Sequence, residues 1–167
     1  EPFRSRYTRR TDIPYAEAVS AASPVTAAGL HADLAQVIGE FRPSWIIAPA
    51  LEDLHPDHRA TGLVVRQAMA ASATDAQLAS YIVHAGRHWP GQRGFRPHKA
   101  LEASSSAGGK LLSLELSPEE QRRKAEALRQ HRSQMRRMAR FLKSFVRSDE
   151  RFLVDLPDAA GTAAGEG

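Results

Sequence analysis

The hydrophobic positions in the first third of the chain predict a helix followed by a buried strand. Apolar side chains fall on one helical stripe that ends at Arg42-Pro43, because proline disfavours helical geometry at the residue before it; they are Leu30, Leu34, Val37, Ile38 and Phe41. The run Trp45-Ile46-Ile47-Ala48-Pro49 follows without alternation, which is typical of a parallel strand buried on both faces. Helix, tight turn and buried strand together predict half of a doubly wound α/β unit.

The pattern further along predicts more helices and strands around one long loop. The expected elements are a helix from about Pro56 to Ala71, a strand over Gln77–His84, a loop over 85–110, and short strands at Leu111–Leu116 and Phe152–Val154. Helices and strands that follow one another in this way are typical of an α/β domain.

Ser117-Pro118-Glu119-Glu120 predicts the start of a long amphipathic helix. Ser117 can cap the first turn, Pro118 suits the first helical position, and Glu120 can complete a capping box. Apolar side chains continue along the predicted helix at Ala125, Leu128, Met135, Met138, Phe141, Leu142 and Phe145.

The composition fits one domain over residues 1–157 and a flexible tail over 158–167. The 167 residues include no cysteine, which excludes disulfides and thiolate metal ligands and is compatible with a cytoplasmic location. No apolar run approaches the roughly 20 residues of a membrane span, and no hydrophobic signal segment follows the first residues. The oligomeric state is left open.

The net charge of +4 is spread along the chain, with many arginines on the predicted C-terminal helix. A basic balance can indicate nucleic-acid binding. A solvated helix face is the favoured interpretation here, and a basic nucleic-acid-binding module is kept as a distant alternative.

A polar cluster follows the Trp45–Pro49 strand; it contains Glu52, Asp53, His55, Asp57 and His58. Ligands of open α/β sheets bind at such carboxyl ends of strands. At a junction between strand and helix, the spacing of His55 and His58 lets both imidazoles face one cleft, where they can bind a metal or move protons. A neighbouring carboxylate can fix the tautomer of such a histidine. The same spacing is compatible with two exposed histidines and with Asp57 as a simple helix cap.

The segments Arg42–Pro49 and Asp53–Gly62 resemble the second motif of the LmbE/PIG-L family, in which His-Pro-Asp-His is the central element. These enzymes are zinc-dependent hydrolases that remove acetyl groups from N-acetylglucosaminyl compounds. Two weaker matches follow in the family's order, at Tyr81–His84 with His88-Trp89-Pro90 and at Lys124–Gln134, which includes His131 and Ser133. The resemblance implies a Rossmann-like, three-layer fold with a mostly parallel sheet.

The resemblance also implies roles for individual residues. His58 matches the family's zinc ligand, and His55 matches the histidine that stabilises the tetrahedral intermediate beside the reacting carbonyl. Asp57 is grouped with His55 at the catalytic site, where it supports the histidines or caps the helix. His84, at the end of a predicted strand, is the candidate substrate-binding residue. The implied cofactor is Zn²⁺ and the implied substrate is a small-molecule amino sugar.

The sequence departs from the family at the N-terminal side. The family carries an Ala-His-Pro-Asp-Asp-Glu motif that supplies two more zinc ligands and the general base, and the 54 residues before His55 do not contain it. His31 and Asp33 are the nearest approach to this motif, but their spacing differs from that of its histidine and aspartates. Two readings follow: a deacetylase domain whose N-terminal part is missing, or a degenerate family member that binds a partner or a sugar without catalysis.

Overall fold

The computed structural model of the chain describes residues 1–86, 89–102 and 110–154. Its helices are α1 (Ala27–Phe41), α2 (Pro56–Ser72), α3 (Pro118–Gln130) and α4 (Arg132–Leu142), followed by a 3₁₀ turn at Lys143–Phe145. Its strands are β1 (Trp45–Pro49), β2 (Gln77–Tyr81), β3 (Lys110–Glu115) and β4 (Asp149–Val154). The predicted α/β class is confirmed.

The described strands form one mixed sheet in the order β1-β2-β4-β3. β1 and β2 are parallel and are joined through α2, whereas β4 is antiparallel to both β2 and β3. The expectation of a mostly parallel sheet is therefore wrong for the described residues. The reason is the position at which the chain re-enters the sheet. It leaves β3 at Glu115 and re-enters as β4 at Asp149, which pairs with Glu115, so β4 runs antiparallel to β3.

The core lies between α2 and the parallel pair of strands. Ala48, Val65 and Leu78 are buried together, and Leu34 of α1 packs against them with Ile46 and Met69. α1, β1 and α2 begin and end within about three residues of their predicted bounds, because their apolar patterns are strong and their ends carry clear signals.

β1 is buried on one face, and the predicted burial of both faces is wrong. Ile46 and Ala48 lie in the core, but Trp45 is 45% exposed and Ile47 is 60% exposed. β1 is the edge strand of the described sheet, and no described helix packs on its second face. An apolar run thus indicates a strand without showing that both of its faces are covered.

The capping box predicted at Ser117 is confirmed, with the side chains of Ser117 and Glu120 each accepting from the other's backbone N–H. The single long helix expected beyond it is wrong. The chain leaves helical geometry at His131, which separates α3 from α4. The residues around this break, Arg129 to Gln134, are all polar, so no apolar stripe holds a continuous helix against the domain there.

Within the described part of the chain, no helix is both long and apolar enough to cross a membrane. The described parts of the predicted 85–110 loop contain no helix or strand before Lys110. His88 and the predicted tail over 158–167 lie outside the described residues.

Candidate functional site

The loop between β1 and α2 brings the His-Pro-Asp-His segment to the carboxyl end of the parallel strands. The backbone N–H of Ala50 donates to the carbonyl of Tyr81 at 2.8 Å, and that of Leu54 donates to the carbonyl of His84 at 2.7 Å. These bonds hold the segment against the loop that follows β2. The residues after the two parallel strands therefore form one surface.

His55, His58 and His84 form a triangle of imidazole rings. The ring centroids are 4.8 Å apart for His55 and His58, 5.4 Å for His55 and His84, and 5.2 Å for His58 and His84. The structure thus brings together all three histidines that the sequence singled out. Such a group offers imidazole nitrogens for metal binding or for proton transfer.

His55 caps α2 with its side chain. Its Nδ1 accepts a hydrogen bond from the backbone N–H of Asp57 at 3.3 Å, and Pro56 occupies the first helical position. An Nδ1 that accepts carries no proton, so the neutral ring carries its proton on Nε2. His55 is therefore a hydrogen-bond donor at Nε2.

Asp53 is fully buried beneath the histidines. Its carboxylate accepts backbone hydrogen bonds from His55 at 2.8 Å, Val83 at 2.7 Å and His84 at 3.0 Å. Burial alone would raise the pKa of Asp53, but these three bonds and the contact with His58 outweigh it and hold the pKa below its usual value. Asp53 is thus a fixed negative charge under the cluster.

His58 presents its Nδ1 to this carboxylate, 3.1 Å from Asp53 Oδ2. This Nδ1 is buried and makes no well-aligned hydrogen bond within the described residues, and the Asp53 carboxylate lies directly against it. A carboxylate at this distance favours a proton on Nδ1, which leaves the lone pair on Nε2. His58 and His55 therefore favour opposite tautomers: His58 offers a lone pair at Nε2, and His55 offers a proton there.

His84 is the third ring and stacks on Phe141 of α4, with centroids 5.6 Å apart and planes 19° apart. Burial lowers the pKa of His84; Asp53 counteracts this, and His58, His55 and Arg93 add to the lowering. The result favours a neutral imidazole at neutral pH.

Asp57 is not part of this cluster. It is exposed on the first turn of α2, and its contacts with His55 and Thr61 go through its backbone N–H and carbonyl. His55, and not Asp57, is the residue that caps the helix, so the alternative in which Asp57 is the cap is wrong. The carboxylate against the histidines is Asp53, which the sequence placed in the polar cluster without a specific role.

A cleft of about 310 Å³ opens beside the triangle. His58 is not among its lining residues, which include His55 and His84 together with Trp89, Arg93 and Phe141. The last three were missed as site residues, because a loop and a distant helix bring them there. Larger cavities lie elsewhere: one of about 630 Å³ at the amino ends of β1 and β2, and one of about 840 Å³ along the N-terminal segment. Neither contains the histidine triangle, and the carboxyl ends of parallel strands are where ligands of such sheets bind.

Other residues of the weaker sequence matches lie away from the cleft. Lys124 forms an ion pair with Glu150, and His131 ends α3. His131 and the following Ser133 and Gln134 are exposed and do not line the cleft. Of the C-terminal helices, α4 contributes to the cleft through Phe141.

The side chains of the histidine cluster have the chemistry of metal ligands, but they do not form a complete ligand set. Imidazole nitrogens are ordinary zinc ligands, and a carboxylate behind a ligating histidine is a common support. In the part of the chain that is described, no group of three His, Asp or Glu side chains converges on one metal position. Among the described residues, the cluster alone therefore does not form a complete metal site.

Compared with known proteins, the chain matches no family model, no curated protein and no solved structure.

Proposed function

We propose that this chain carries the histidine half of a zinc-dependent N-deacetylase site that acts on an acylated amino sugar. The observation that carries the proposal is the contrast between the two Nδ1 atoms: that of His55 accepts from a backbone N–H, whereas that of His58 faces the Asp53 carboxylate, so the two rings favour opposite tautomers. Metal-assisted hydrolysis of an amide uses Lewis-basic ligands for the metal and a donor for the oxyanion, and the two histidines would offer one of each. The resemblance of the His-Pro-Asp-His segment to the LmbE/PIG-L family supports the same reading, with a Rossmann-like, three-layer arrangement in the intact domain.

His58 would hold the zinc through Nε2, with Asp53 behind Nδ1 to fix the ring. A bound zinc supplies Lewis acidity at the scissile carbonyl and lowers the pKa of a bound water. His55 would donate from Nε2 to the oxygen that becomes negative, and the amino end of α2 favours that charge. His84 lines the cleft beside His55, where it would contact the substrate.

The remaining zinc ligands and the general base would come from a His-Pro-Asp-Asp segment that these residues do not include. A catalytic zinc site uses about three protein ligands. We therefore expect the chain alone to bind zinc weakly and to be a poor deacetylase, and we expect an added upstream half with that segment to restore both properties.

Zinc titration tests the assignment of His58. In the chain as it stands, calorimetry combined with ¹⁵N spectra of the histidine rings should show weak binding that shifts His58 Nε2. His58→Ala should abolish it, whereas His131→Ala, on an exposed residue outside the cluster, should not change it. Zinc binding that survives His58→Ala would remove His58 from the ligand set.

Activity in the restored protein tests the assignment of His55. His55→Ala should keep the metal and lower the rate of amine release from N-acetylglucosaminides by about 10²–10³-fold, as for loss of an oxyanion donor. A protein that binds the sugar and zinc without releasing amine would support the non-catalytic alternative. Tight stoichiometric zinc and full activity in the 167-residue chain would show that the ligand set proposed here is wrong.

A further inference from the structure

A second cavity adjoins the histidine cleft on the side of α4. Its volume is about 410 Å³, and it is lined by Arg93, Arg137, Met138, Arg140 and Phe141. Arg93 and Phe141 also line the histidine cleft. A ligand bound at the histidines can therefore extend past Phe141 into the second cavity.

The ring of Phe141 connects the two cavities. One contact is with His84, whose ring stacks on it at 5.6 Å. The other is with Arg93, whose guanidinium carbon lies 4.6 Å from the same ring centroid. A guanidinium stacked on an aromatic face is held in orientation while its N–H groups stay available. A positive charge thus stands one ring, that of Phe141, away from His84 of the histidine triangle.

The second cavity is strongly positive. We call Arg93, Arg137 and Arg140 the arginine shelf. Among the described residues, no carboxylate lies within ion-pair distance of any of the three. The backbone N–H of Gly94 donates to the carbonyl of Arg140 at 3.1 Å, which ties the loop that carries Arg93 to α4. The shelf is therefore built from two separate segments held together beside the cleft, which a simple solvated helix face does not require.

We propose that the arginine shelf binds an anionic substituent, a carboxylate or a phosphate, on the amino-sugar substrate. Guanidinium groups bind both anions through paired N–H donors. The inference rests on the proposed function for the position of the acyl group at the histidines. It narrows the substrate class from acylated amino sugars in general to acidic ones.

Binding to the zinc-free chain tests the shelf without any need for catalysis. The probes are N-acetylglucosamine, which is neutral, N-acetylglucosamine 6-phosphate and N-acetylmuramic acid, which carries a carboxylate. Trp89 lines the cleft, and its indole N–H, which donates to the carbonyl of Ile82, serves as the NMR reporter of binding. We expect at least one acidic probe to bind about tenfold more tightly than the neutral sugar, as for hydrogen bonds to a charged group, with weaker binding at higher salt. The stronger of the two acidic probes identifies the anion.

Arginine variants locate the effect. Arg93→Gln should remove most of the preference for acidic probes, and Arg137→Gln and Arg140→Gln should each reduce it. Arg129→Gln makes the same charge change on α3 outside both cavities and should leave the preference intact. All four side chains are exposed, so the variants are expected to fold.

Three outcomes would contradict anion binding at the arginine shelf. They are equal affinity for neutral and acidic probes, an equal loss of the preference for acidic probes in Arg129→Gln and Arg93→Gln, or no binding of any probe. Failure of zinc binding or of amine release would count against the proposed function instead. The two failures are distinguishable, because the binding experiment contains no zinc and measures no hydrolysis.

Discussion

Asp53 joins the two loops that carry the histidines through a single carboxylate. One oxygen accepts from His55 in the loop after β1, and the other accepts from Val83 and His84 after β2. The second oxygen also faces Nδ1 of His58. A single residue therefore sets both the distance between the loops and the proton position on one ring.

Asp53→Asn is expected to destabilise the protein and to disturb His58. An amide cannot accept on both of its ends, so the partly buried N–H groups of Val83 and His84, or that of His55, lose their partner, at a cost of about 3 kcal/mol. Urea unfolding measures this cost, and ¹⁵N spectra of the His58 ring should show a more even mixture of tautomers.

Asp57→Asn is the matched control, because it changes an exposed carboxylate four residues away. Its effect should stay below about 1 kcal/mol, the scale of a charge at a helix amino end. Equal losses in the two variants would contradict the special position of Asp53.

Asp149 gives a prediction about pH. It is buried, and although burial would raise its pKa, Arg151, the Leu101 N–H and Ser113 together lower it. A depressed pKa in the folded state stabilises the protein above the unfolded value of about 3.9, and this contribution is lost as the pH falls through the folded value. Asp149→Asn should therefore cost about 2 kcal/mol at neutral pH and progressively less below about pH 4.

Urea unfolding of wild type and Asp149→Asn between neutral and acidic pH checks the sign. Asp75→Asn, on an exposed residue before β2, should have a small effect at every pH. A difference between wild type and Asp149→Asn that does not change with pH would refute the linkage.

At the residue scale, the sequence predicted the histidines of the cluster better than the residues that contact them and hold them in place. The spacing of His55 and His58 and the place of His84 at the end of an apolar run are local signals, and the structure brings these three rings together. The role of Asp53 depends on bonds to residues about 30 positions away, which leave no local pattern. Arg93 likewise left no local pattern, because its loop is tied to α4, which lies far away in the sequence.

At the scale of elements, the close approach of α2 to β1 holds the site in place. Gly62 lies where α2 crosses the end of β1, and a Cβ added there would come within 2.4 Å of the carbonyl oxygen of Pro49. Glycine is needed at this position because backbone, which cannot rotate away, is the neighbour.

Gly62→Ala is expected to destabilise the protein by about 1–3 kcal/mol, as for overpacking, although alanine favours helices. Gly39→Ala in α1 is the matched control, since nothing lies within 4 Å of its added Cβ. The control should stabilise the protein by about 0.5–1 kcal/mol. Thermal unfolding compares the two variants, and stabilisation by both would show that α2 has room to move from β1.

The bounds of the elements were predictable where the apolar pattern decides them, as in α1 and α2. β2 was expected to reach His84 but ends at Tyr81, since Val83 and His84 donate their N–H groups to Asp53 instead of to a strand. In this case hydrogen bonds to a side chain end the strand at Tyr81, although its apolar pattern continues through Val83.

For the whole molecule, the open side of β1 is one of the exposed apolar surfaces of the sheet. Trp45 and Ile47 lie on its open face, and Phe41 at the end of α1 is 79% exposed. The strand is also an edge, so its outer backbone groups have no strand partner in the described residues. Exposed apolar edge strands promote association between chains.

Ile47→Lys is therefore expected to reduce self-association at high protein concentration, measured by sedimentation velocity, and to change the free energy of unfolding by no more than about 0.5 kcal/mol. Ile46→Lys places the same charge on the core side of the strand and should unfold the protein. Unchanged association in Ile47→Lys would show that this face does not drive contacts between chains.

The attachment of two backbone amides to Asp53 also makes them reporters of local opening. Val83 and His84 donate to a carboxylate that belongs to the loop before α2, so their protons exchange with solvent only when the two loops separate. Their exchange rates therefore measure how often the histidine triangle comes apart in the native protein. A ligand that bridges the rings would slow both amides together, whichever ligand it is.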